Sequence, residues 1–293
     1  GISGMDRLSR RYLLRAIAVA DEIRDPPALA YAHFVRSLYL VGRGAWAETL
    51  DGVEVAQRLC DQLGDQLNWC NAQAVRFWLC YHTGNDAGAQ EAAAALENRA
   101  LHAGNRQQAA WGIRSSALML LRYGGTPESA VELLQRSVHV AGEDIGDRAE
   151  AAPTWGALAV AQLRADRIDQ ALESALKGLD HIRAIRSPTG HGTLEGYSMV
   201  LDVLLEAWRR GEPARAQPWR HCVSQGLRAF RRFVRVFPIG EPAYGVRVGR
   251  VLALRGKRAA AIAQWQRSEQ LARNMGMRPE AERARQLHGV TDD

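Results

Sequence analysis

The chain has 293 residues, 47% apolar and 24% charged, a normal soluble composition with ample material for a core. Its net charge of +6 is uneven: 13 Arg or Lys lie between Arg209 and Arg258 against only Glu212 and Glu241, so the remainder is net acidic, a split that suits an acidic partner; nucleic acid is not the expected partner, since no groove-reading motif or interleaved exposed aromatics accompany the basic stretch. No run of about 18 uncharged apolar residues occurs, which excludes a membrane-spanning helix. Four cysteines in a chain this long fit a reduced, cytoplasmic setting rather than a disulfide framework.

In chain order, residues 1–5 have no apolar segment behind them and read as a tag remnant rather than a signal peptide. Residues 6–293 read as one helical domain. A first helix over 7–24 stops at Asp25-Pro26-Pro27. It has no partner before it, so it reads as the second half of a hairpin in a longer protein. Six hairpins are then expected: 28–41 with 46–63, 66–82 with 87–103, 106–123 with 127–141, 148–164 with 168–185, 193–210 with 215–237, and 243–255 with 259–275. A short helix over 279–287 caps the stack. Gly64-Asp65, Gly104-Asn105 and Gly146-Asp147 mark hairpin boundaries, and Pro127 suits a first helical turn.

The hairpins recur about every 40 residues, the fifth and sixth being longer. A turn glycine followed five residues later by a small residue marks each: Gly44/Thr49, Gly84/Ala89, Gly125/Ala130, Gly211/Ala216 and Gly256/Ala261, with Asp166/Ala171 in the remaining place. Such a repeat stacks into an all-α, right-handed solenoid and offers a long surface rather than a cleft. The fourth unit carries Trp155, Leu158, Ala159 and Ala171, and the sixth Gly249, Gly256, Ala261 and Trp265, at the spacing of tetratricopeptide repeats, which the chain resembles. Arg36 and Thr49 in the first unit, and Phe77 and Leu118 in the next two, depart from that pattern.

Residues that would carry catalysis or bind a cofactor are not found in a pattern. Gly42-Arg43-Gly44 and Gly190-His191-Gly192 lack the spacing, flanking strand and Lys-Ser/Thr of a phosphate loop. Cys60, Cys70 and Cys80 recur at ten-residue steps, not at ligand spacing, so no metal is expected. Glu143-Asp144 before Gly146-Asp147 lacks the remaining calcium ligands. The expectation is a chain that binds, without enzymatic activity or cofactor.

Two surfaces are candidates. On the concave side Arg36 and Arg76 sit on corresponding turns of neighbouring first helices, with Arg114 extending the row and Trp78 and Trp111 nearby. Guanidiniums placed so suit a carboxylate or phosphate, or else a salt bridge to an acidic neighbour. On the longest helix Val223, Leu227, Phe230, Val234 and Phe237 form a buried stripe. Arg228, Arg231, Arg232 and Arg235 fall outside it, as a basic strip or a solvated face.

Three segments carry a narrower resemblance. These are Gly192-Thr193-Leu194-Glu195-Gly196-Tyr197, the stretch from Leu227-Arg228-Ala229-Phe230 to Phe237-Pro238-Ile239-Gly240, and that from Ala272 through Met275-Gly276-Met277 to Glu280. They resemble the C-terminal repeat region of bacterial multidomain signalling proteins with a class III nucleotide cyclase or a kinase and a STAND-type ATPase module. The repeat and the unpaired first helix lead to the expectation of a regulatory module that holds a peptide segment or partner domain, including upstream domains of its own polypeptide, in its concave groove. The alternative, implied by the resemblance, is a small-metabolite sensor, marked by a closed, aromatic-lined pocket. A small helical enzyme is the third reading, and no motif supports it.

Overall fold

The computed structural model describes residues 6–142, 148–211 and 217–289. Among the described residues the chain is all-helical, without strands. Helix α1 (Asp6–Glu22) is followed by six hairpins: α2 (Pro26–Val41) with α3 (Trp46–Leu63), α4 (Gln66–Thr83) with α5 (Asp86–His102), α6 (Arg106–Tyr123) with α7 (Pro127–Ala141), α8 (Arg148–Arg164) with α9 (Ile168–Ala184), α10 (Leu194–Arg210) with α11 (Gln217–Val236), and α12 (Glu241–Leu254) with α13 (Arg258–Asn274). Helix α14 (Arg278–Gly289) ends the array. Short 3-10 turns at His191–Thr193 and Pro238–Gly240, not expected from the sequence, lead into α10 and α12. The expected tag remnant, the Gly146-Asp147 boundary, the Glu143-Asp144 loop, Arg215 and Ala216 lie outside the described residues.

Local chemistry sets the helix ends. The side chains of Asp25, Asp65, Asn85 and Asn105 each accept a hydrogen bond from the backbone N–H three residues on, filling one of the donors a helix start leaves open. Gly44, Gly84 and Gly256 turn their hairpins at φ of 76°, 76° and 75°. Asp166 holds the same left-handed conformation at 57°, a place where a short polar side chain is tolerated. In the third hairpin the left-handed residue is Gly124 rather than Gly125, and Gly211 in the fifth has a φ of −71°. Thr49, Ala89, Ala130, Ala171 and Ala261 are all buried, so each hairpin's second helix can close on its partner.

Two crossings are closer still. A Cβ on Gly112 would lie 2.5 Å from the backbone nitrogen of Glu97, and one on Gly196 2.8 Å from Ala152 C and Pro153 N. Because backbone must move in both cases, Gly112→Ala and Gly196→Ala should each cost about 1–3 kcal/mol in a urea melt. Gly289→Ala, with nothing within 4 Å, serves as the control and should stay near wild type.

The first helices also hold one another by arginines near their C-terminal ends. Arg122 on α6 donates to the Tyr81 carbonyl of α4 at 2.7 Å, and Arg164 on α8 donates to the Leu121 carbonyl of α6. Each cation thus meets carbonyls in the last turn of the preceding first helix, where the helix dipole is negative.

The array curves until its ends meet. Helices alternate in direction, so turns within hairpins lie on one rim and links between hairpins on the other. The Phe237 ring packs on Gly42, Ile239 and Met275 approach Gly44, and Pro279 sits on Gly84. The Trp46 indole N–H donates to the Met275 carbonyl at 2.5 Å. Helix α14 packs on α4. The rim of the first two hairpins therefore abuts the opposite rim of the last ones, forming a seam. Inside the curve α10 is buried along most of its length from Leu194 to Trp208, and Tyr197 meets Phe230 and Phe233 there.

Candidate functional site

The concave face is covered by the chain itself. After α9 the backbone turns inward, and Gly192 rests on the Trp78 indole, where a Cβ would lie 3.3 Å from Nε1. His191 follows it inward, leaving a cavity of about 210 Å³ on one side and one of about 420 Å³ on the other, both of which it lines. The smaller is walled by α2, α4 and α6, with Phe34, Trp78, Trp111 and Arg114 among its lining. The larger lies between α1, α2 and the end of α11, with Tyr12, Tyr39 and Phe237 among its walls.

Trp78, Trp111 and Arg114 thus come together in one cavity. Arg36 and Arg76 are not part of it. Arg36 bonds Glu48 at 2.9 Å and Arg76 donates to Gln57 Oε1 at 3.2 Å, so both are drawn outward onto α3. Arg114 is buried and spans to α8, at 3.3 Å from Glu150 Oε2 and 3.2 Å from Thr154 Oγ1. Its Nε–H is buried without a partner.

His191 was not singled out by its sequence context, where Gly190-His191-Gly192 resembled only an incomplete phosphate loop. It is 2% exposed and neither ring nitrogen has a hydrogen-bond partner. Burial pushes its imidazole down to about 3, so it is neutral near pH 7, one nitrogen donating and the other accepting. His82 behaves alike. It stacks on Trp78 with ring centroids 5.6 Å apart, its Nε2 is unpartnered, and burial, His191 and Arg122 hold it down to about 3.

On the outer face Arg228, Arg231, Arg232 and Arg235 are all exposed. Helix α11 has no acidic residue, and among the described residues no ion pair engages these four arginines. The buried face of α11 is centred on Val223, Gly226, Phe230 and Phe233, while Leu227, Val234 and Phe237 are only partly covered. Cys60, Cys70 and Cys80 are free and buried, with burial pushing their thiols up, that of Cys60 to about 11. Among the described residues no group of three or more His, Cys, Asp or Glu converges as a metal site. None of the described helices is long and apolar enough to cross a membrane.

Compared with known proteins, the chain matches no protein-family model and no curated relative.

Proposed function

We propose that this chain is a small-ligand-binding module of the helical-repeat type, with its ligand in the paired cavities around His191. The observation that carries this reading is that the chain's own C-terminal third closes the concave face and leaves aromatic-walled cavities in place of an open groove. Their volumes together fall within the range of about 300–1,000 Å³ typical of small-molecule sites. Binding rather than turnover is the activity we infer, and the right-handed, tetratricopeptide-like superhelix remains our reading of the array.

The site suits a sensor because it bridges the seam. The larger cavity has α1 and α2 on one side and Val236 and Phe237 on the other, and Phe237 also packs on Gly42. A ligand touching both sides favours the closed seam by its differential affinity for that state. The likeness of the C-terminal segments to signalling proteins supports a role as the regulatory part of a longer polypeptide.

A thermal-shift screen of small metabolites tests this. A true ligand at 100 times its Kd should add about 2.7 kcal/mol of stability to the wild type. Ala74→Leu, which fills the smaller cavity from α4, should fold and lose that gain. A screen in which nothing stabilises the wild type removes the proposal.

A second reading is favoured by the outer face of α11. Arg228, Arg231, Arg232 and Arg235, on a helix without an acidic residue, repel one another at i,i+3 and i,i+4 spacings, and a bound anionic protein segment relieves that repulsion. Under this reading, replacing Arg228, Arg231, Arg232 and Arg235 by Gln abolishes capture of an acidic partner domain, and salt weakens capture by the wild type.

A further inference from the structure

We infer that the site around His191 selects an uncharged planar ring compound whose head group both donates and accepts hydrogen bonds, as a carboxamide or lactam does, in preference to a carboxylate or an amidine. This rests on the reading of the cavities as a small-ligand site, and it follows from the polar inventory of their walls.

The charges at the walls are already matched. In the smaller cavity the only charged side chains are Arg114 and Glu150, which pair with each other. In the larger one it is Arg43, which pairs with Asp6 at 2.8 Å. An ionised ligand would leave water without a free counter-charge, and burying an unpaired charge is far costlier than burying a polar group that finds its hydrogen bonds.

The unspent groups are polar and neutral in effect. His191 brings two unpartnered ring nitrogens, fully enclosed, between the two cavities. Arg114 adds one orphaned Nε–H donor while the rest of its guanidinium is engaged by Glu150 and Thr154. A neutral imidazole asks its partner for one acceptor and one donor, and the Nε–H asks for a second acceptor. The two ring nitrogens point apart, so one head group meets one of them: a carbonyl beside an N–H can accept from the Arg114 Nε–H and match that nitrogen in either tautomer, whereas a carboxylate or an amidinium brings an unmatched charge. Phe34, Trp78 and Trp111 supply flat apolar surface for the ring. The 3-10 turn that presents His191 is fixed by Thr193 Oγ1 donating to the Gly190 carbonyl at 2.8 Å. The imidazole is therefore held in place before any ligand arrives.

Three probes of one shape decide the matter: naphthamide, naphthoate and naphthamidine, titrated into the full chain at pH 7.5 with tryptophan fluorescence and ligand-observed NMR as readouts. The expected result is that naphthamide binds at least ~10-fold tighter than either charged analogue, the size of effect a site built for polar complementarity reaches easily. His191→Leu should weaken naphthamide ~10-fold without lowering Tm, since it removes two buried, unpartnered nitrogens. His191→Asn, which keeps a donor and an acceptor, should recover part of the loss. If a charged analogue binds as well as or better than the amide, and Ala74→Leu abolishes that binding, the ligand class is overturned while the site stands. If His191→Leu leaves naphthamide affinity unchanged, the role given to His191 is overturned. Binding by none of the three, or equal binding to Ala74→Leu, overturns the site along with the ligand class.

Discussion

Arg247→Ala should lose about 3–5 kcal/mol of stability, the range measured when one member of a buried ion pair is removed. Arg247 has no exposed surface. It sits on α12 and reaches Asp202 of α10 at 2.6 Å and Glu280 of α14 at 3.2 Å, so a single guanidinium ties three successive first helices together. Burial raises the Asp202 carboxyl, but Arg247 and Arg250 more than offset that and hold it below its ordinary value. Without Arg247 the burial cost remains, and the first of the compensating cations is gone together with its hydrogen bond, leaving Arg250 and Arg283. Glu280 would keep only Arg283, at 3.4 Å. The void left by the side chain adds to the loss. Arg250→Ala is the informative comparison. Arg250 meets the same Asp202 at 2.8 Å but is partly exposed, so its removal should cost no more than about 1 kcal/mol. Urea melts of the two variants should therefore separate clearly. If Arg247→Ala falls within 1 kcal/mol of Arg250→Ala, the three-helix tie is not a major support of the fold.

How much of this was legible beforehand depends on the range over which each feature is decided. Hairpin turns are settled within about five residues, and they read well. Even Asp166 stands where glycine stands in its neighbours and adopts the same left-handed backbone. The face of α11 read less well. Val223 and Phe230 can be continued into an apolar stripe by Leu227, Val234 and Phe237 or by Gly226 and Phe233, and both have helical spacing. Tyr197 of α10, stacked on Phe230 and against Phe233, decides between them. Arg36 and Arg76 shared a register, but acceptors on α3 draw both side chains away from the concave face. The closure was out of reach of any local pattern, since Trp46 and Met275 are 229 residues apart. Yet the three segments that carry the signalling-protein resemblance are the ones that build the closure. Gly192 meets Trp78, Phe237 and Ile239 meet the first hairpin turn, and Met275 and Pro279 complete the seam. Those segments are constrained by contact with the first two hairpins as well as by the repeat.

Acidification should unfold this protein earlier than its carboxylates alone would. His82 and His191 are 4% and 2% exposed, and burial holds both near 3 against an ordinary value of about 6.5. The unfolded chain takes up both protons as pH falls through 6.5, while the folded chain does not until about 3. Stability is therefore fully present above pH 6.5 and is lost on the way down. Well inside that window each histidine contributes about 1 kcal/mol per pH unit. His33, also lowered by burial, acts in the same direction. Glu195 opposes it, since burial raises its carboxyl and the folded state gains that proton first. Below about pH 4.5 Glu206, held to about 2 chiefly by its bond to Arg209, and Asp202 add to the loss. Two histidines acting from pH 6 to 4 remove several kcal/mol, a large share of what a typical fold possesses. The expected result is a steep fall in the free energy of unfolding between pH 6 and 4.5, measured by urea titration at half-unit steps. The double variant His82→Asn, His191→Asn should flatten that fall by about 2 kcal/mol per unit down to about pH 3, where the folded imidazoles would themselves protonate and the two slopes converge. A wild type that keeps its full stability down to pH 4.5 would show that the two imidazoles accept protons in place. The neutral site inferred around His191 would then have to be given up too.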